Sequence, residues 1–147
     1  MIDALKFLFQ RDIQRLYDEV DAYQKEENLW ILEGSINNTA GNLAMHLAGN
    51  LQHFIGHLLG GSDYKRQRDR EFGDKNVPKN ELLKSIKNAE QAVDHALENI
   101  DTATLEESFP QQVFKTHYTT AQMLIHLQGH LNYHLGQINY HRRLLDK

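Results

Sequence analysis

Apolar residues return every three or four positions over four long stretches of the chain, and no stretch shows the period of two that a half-buried strand requires. In the first, over about residues 3–27, Leu5, Phe9, Leu16, Val20 and Tyr23 share one side, flanked by Leu8 and Ile13. Most charged residues fall elsewhere on that wheel. Asp12 is the exception, inside the apolar stripe; it reads either as a carboxylate supporting a buried site or as a partly exposed residue near the end of the core. Capping residues Ser35, Asn37, Asn38 and Thr39 precede a second apolar run over about 39–60, which Gly60-Gly61 ends.

A third helix is expected to start near "DKNVPKN", where Pro78 is tolerated at or before the first turn, and to run to about residue 100. Leu82, Ile86, Ala89, Val93, Ala96 and Ile100 form its core face. After a loop with Pro110, Thr119 or Thr120 caps the last helix, which runs to about residue 145. Four long helices predict an all-α four-helix bundle, one domain over residues 1–147. The connection from Gly61 to Asn80 is far longer than an antiparallel hairpin needs. It carries a crossover, partly covers a site, or is a solvated charged loop.

Composition narrows the chemistry. The chain has 147 residues, a formal net charge of −4 and no cysteine. The charge argues against a nucleic-acid surface. The missing cysteine removes disulfides, thiolate nucleophiles and cysteine zinc sites. No run of about 18 apolar residues exists, and "MIDALKFLFQRDIQ" meets charges too early for a secretory segment, so a soluble cytoplasmic protein is expected, without a membrane partner.

Histidine is what remains in quantity. "HLQGHLNYHLGQINYHRR" places His126, His130, His134 and His141 within about 80° of one helix face. The second helix carries His46, His53 and His57 within about 40°. Both stripes border apolar ones, where imidazoles require partners. A His-x-x-x-His pair aims two nitrogens at one point, and a third histidine from a facing helix completes a divalent-metal site. "HLAGNLQHFIG" and "HLQGHLNYHLG" also agree at five positions, including Gly49/Gly129 and Gly56/Gly136, where glycine permits close backbone approach.

The motifs "NLAMHLAGN", "RDREF" (Arg68 to Phe72) and "HLQGHLNYHLGQINYHRRLL", with their closing H-x-x-x-H-x-G-Q, resemble the DinB/YfiT-like superfamily of metal-dependent enzymes over nearly the whole chain. The resemblance implies a four-helix bundle with a metal held by His46, His130 and His134. It also implies thiol-dependent S-transfer or isomerisation, activities of characterised members. His126 is either an alternative partner of His130 or a supporting residue; His53 and His57 read as interior or partly exposed. His141 packs near a helix end, His95 is solvated, and His117 lies in a loop.

Asn50, one turn after His46, orients a metal-bound water or makes an interhelical hydrogen bond. Arg68 and Arg70 hold an anionic cosubstrate or pair on the surface with Asp69 and Glu71. Three neutral imidazoles leave positions open on the ion, which suits catalysis better than structure. Zinc or nickel is expected first, with iron, cobalt or manganese as other candidates. The expected function is therefore a metal-dependent S-transferase using a low-molecular-weight thiol on a small-molecule substrate. A metal-dependent hydrolase and a non-enzymatic metal-binding or dimerisation bundle are the alternatives. No glutamate lies inside the His-x-x-x-His turn, so peptidase chemistry lacks its usual base. The Tyr and Leu residues of "INYHRRLL" suggest a homodimer.

Overall fold

The first apolar stripe coils into α1, Ile2–Asp21, which buries Leu5, Phe9, Ile13, Leu16 and Val20 in the core. In the computed structural model, which describes residues 1–147, this helix ends well before residue 27. The reason lies far away in sequence. The Asp146 carboxylate accepts hydrogen bonds from the backbone N–H groups of Gln24 and Lys25 and from the Asn28 amide. Those bonds draw the chain off the helix axis into a 3-10 turn, Glu26–Trp30, that buries Leu29.

Helix α2, Ala40–Leu51, starts where Thr39 accepts from the Asn42 N–H, and it continues without a break into one π-helical turn, Gln52–His57. Its termination at the glycine pair is as expected, with Gly61 at φ 72°. A short helix α3, Arg68–Gly73, interrupts the long connection. Then come α4, Lys79–Asn99, entered from Pro78, and the one-turn α5, Thr102–Glu106. The last helix, α6, Thr120–Leu145, opens with a reciprocal cap in which Thr119 and Gln122 each bond the other's backbone N–H. No helix is long and apolar enough to cross a membrane.

The four long helices form a bundle in the cyclic order α1, α4, α2, α6, each packed on the next. Helices consecutive in that ring but not in sequence explain the connections. The segments 22–39 and 100–119 cross between helices on opposite corners. The 58–78 segment, the longest without a long helix, joins direct neighbours, so its length is not needed for reach. It folds α3 back onto α2 instead.

Asp12 is fully buried, which corrects the expectation of a partly exposed residue. Its Oδ1 accepts from Arg11 Nε (2.8 Å) and Arg15 (3.2 Å), and its Oδ2 from Arg11, from Asn132 Nδ2 (2.8 Å) and from Gln128. A carboxylate so bonded can sit in an apolar stripe because its charge and lone pairs are both answered. It joins α1 to α6 and supports no metal ligand.

Candidate metal centre

Because α2 and α6 are neighbours in the ring, His46 faces the histidine stripe of α6. His46 is buried on α2, and its ring meets those of His130 and His134 at centroid distances of 5.0 and 5.3 Å, nearly perpendicular to both. His46 Nε2 lies 3.1 Å from His130 Nε2. One ligand nitrogen from each of the three residues lies within 4.8 Å of the others. Two nitrogens bound about 2.0–2.1 Å from a common ion stand about 2.8–3.4 Å apart for bond angles between square and tetrahedral. The 3.1 Å pair has that spacing. The whole set is slightly open, since about 4.2 Å is the widest span such an ion allows.

Groups behind the rings decide which nitrogens are free. His46 Nδ1 donates to Glu71 Oε1 at 3.1 Å, and His134 Nδ1 donates to the Gln137 amide oxygen at 2.7 Å. Each bond holds a hydrogen on Nδ1 and leaves the lone pair on Nε2, the form a metal requires. Glu71 is itself buried and clamped by Arg66, whose Nε and terminal nitrogen reach its two oxygens at 2.9 Å each. Burial pushes the Glu71 carboxyl up, but the bonds from His46 and Arg66 outweigh it and hold the group below its ordinary value. His130 has no such support: its Nδ1 is buried without a partner.

Burial, then the neighbouring rings of His134 and His46, pushes the His130 imidazole down to about 4. Burial also lowers His134, opposed by its bond to Gln137. Both are therefore neutral at pH 7, so an arriving cation meets no net positive charge on either ring.

Glu71 reaches His46 because residue 49 has no side chain. A Cβ there would lie 2.7 Å from the Glu71 carboxyl carbon and closer still to Oε2. The matching-glycine expectation thus holds at Gly49, and at Gly56, where a Cβ would meet Ala92 at 2.9 Å. It fails at Gly129 and Gly136, where a Cβ would meet open space.

Asn50 is buried, with no interhelical hydrogen bond, and its Oδ1 is unpartnered. Arg68 lies over the Phe72 ring at 5.2 Å, and Phe72 packs against His46 at 4.8 Å. Arg70 is exposed and pairs with Asp74 at 2.9 Å. Neither arginine pairs with Asp69 or Glu71, which corrects the surface-pairing expectation. Arg66 and Glu71 are the charged residues at the site, and the residue reading passes over both as functional groups. Glu71 lies within the "RDREF" motif, which is the one signal that points to it.

Among the other histidines, His126 is exposed, stacked 6.2 Å from His130 and edge-on to Phe114. It plays no core role. The π-helical turn changes the wheel beyond Leu51, and it carries His53 to Gln111 and exposed His57 to the Ser62 carbonyl. His141 is buried in the last turns of α6. Its Nε2 donates to the Ile31 carbonyl at 2.8 Å, and its Nδ1 is hydrogen-bonded to the Tyr23 hydroxyl at 2.7 Å. His95 and His117 are exposed.

No curated protein matches the chain. A family model described as "Protein of unknown function (DUF1572)" matches residues 2–147. That match runs through every helix and all three clustered histidines, and the chain therefore belongs to the DUF1572 family.

Proposed function

We propose that the protein is a metal-dependent enzyme of the DinB/YfiT-like kind, holding a divalent ion on His46, His130 and His134 and transferring a small electrophile to a low-molecular-weight thiol. The observation that carries the reading is the set of three imidazoles converging from two helices, two of them fixed in the metal-ready tautomer. An ion so held supplies Lewis acidity that ionises a bound thiol near neutral pH. The chain has no cysteine of its own, so the thiol comes from outside. Zinc and nickel suit an all-imidazole set best, with iron, cobalt and manganese behind them.

The residues around the histidines favour thiol transfer over hydrolysis. A hydrolytic centre works best with a free carboxylate to take a proton from water. Glu71, the buried carboxylate here, has both oxygens committed to Arg66 and His46. A thiol needs no such base once its proton has been released to solvent. Its sulfur forms the new bond to carbon while the leaving group departs with its electron pair. We place the protein in the cytoplasm, where such thiols are kept reduced, and as a homodimer.

Conjugation of monochlorobimane to glutathione, cysteine and other small thiols tests this. The carbon–sulfur bond forms, chloride leaves, and one proton is released. We expect turnover in the metal-loaded protein and none in His134→Ala at unchanged helical content. Turnover that survives after the metal is lost would overturn the proposal.

A further inference from the structure

Two clefts flank the second half of α6, and their linings differ in charge. One, of about 510 Å³, runs between α1 and α6 and carries Arg15, Asp18, Glu19 and Arg143. The other, of about 780 Å³, lies between α6 and the 31–39 connection, and no lysine, arginine, aspartate or glutamate lines it. His134 is on the wall of the uncharged cleft only.

Resting on the metal-centre reading, we infer that this second cleft binds the electrophilic substrate, and that the substrate is an uncharged molecule with an apolar, ring-sized body. The volume lies in the range of small-molecule sites. Ile36 and Leu144 stand at the cleft with Tyr133 and Tyr140, all of them exposed, so large apolar surfaces gather at one place. Leu43, about one turn before His46 on α2, brings the cleft toward the histidines. Gln137 both lines the cleft and holds His134 through its oxygen, so its amide nitrogen is what it has left to donate to a ligand. A charged ligand would lose hydration here and find no countercharge, whereas a neutral one loses little and gains apolar contact.

The test uses two fluorescent probes with the same body and different charge, N-phenyl-1-naphthylamine and its 8-sulfonate. Both are titrated into the full, metal-free chain and into Ile36→Asp and Leu144→Asp, exposed positions whose substitution leaves the core intact. We expect the neutral probe to bind one per chain, at least tenfold more tightly than the sulfonate, and to lose at least tenfold in each variant. Equal affinity for the two probes, or undiminished binding of the neutral probe in both variants, would overturn the inference. Because no metal is present, a failure of the metal reading appears separately, as absence of bound metal, and does not obscure this result.

Discussion

The Glu71 carboxylate lies where the side chain of residue 49 would begin: a Cβ on Gly49 would overlap the group that orients His46. Gly49→Ala must therefore push Glu71 off the ring. We expect helical content to persist and metal affinity to fall by about 10–100-fold, the usual loss when a residue behind a metal ligand is displaced. Gly129→Ala, where a Cβ meets open space on α6, serves as the control. It should leave metal affinity unchanged and raise stability by up to about 1 kcal/mol through helix propensity alone. Competition titration with a chromophoric chelator and thermal unfolding read the two effects.

The buried Asp12 cluster should be a structural device independent of the site. Asp12→Ala removes the acceptor shared by Asn132, Gln128 and two arginines. The arginines are exposed enough to return to water, so the loss falls mainly on the bonds to α6, about 1–3 kcal/mol. Metal affinity should not change. Burial raises the Asp12 carboxyl, but its bonds to Arg11, Asn132 and Gln128 bring it below its ordinary value. The carboxylate's stabilisation is therefore complete above about pH 3.9 and lost as pH falls through the lower folded value. Urea denaturation of the wild type and variant checks both statements.

His130 gives the metal-free protein a pH dependence of its own. Its folded value is about 4, against about 6.5 in an unfolded chain. Between those values the unfolded chain holds a proton that the folded one refuses, so stability falls as pH drops from about 6.5 to 4 and His130 adds no slope outside that window. The full effect is on the order of 3 kcal/mol at most, with His134 acting in the same direction. In His130→Gln the slope should shrink. An unchanged slope in that variant, measured after exhaustive chelation, would contradict the assignment.

Much of this was legible in the residue pattern, for a physical reason. Long amphipathic helices bury one face, so a period near 3.6 marks the four bundle helices and the stripes that bring His46 opposite His130 and His134. What the pattern misses depends on distant partners. α1 stops at Asp21 because Asp146 binds the following backbone, and no local signal near residue 21 reports that. α3 is too short to show a period, so Glu71 reads as one charge among many in a solvated loop. Asp12 reads as partly exposed, and the burial of His141 goes unseen, because their partners, Asn132 and Tyr23, lie more than a hundred residues away.

His46, His130 and His134 are expected to bind one metal ion together. Elemental mass spectrometry on untagged protein, purified after growth with zinc, nickel, manganese, iron and cobalt, measures it directly when wild type is compared with His46→Ala and His130→Ala. About one equivalent of a divalent metal in the wild type, lost in both variants while circular dichroism stays helical, is the expected result. A wild type that holds no metal under any supplement, or variants that keep it, would contradict the three-histidine centre.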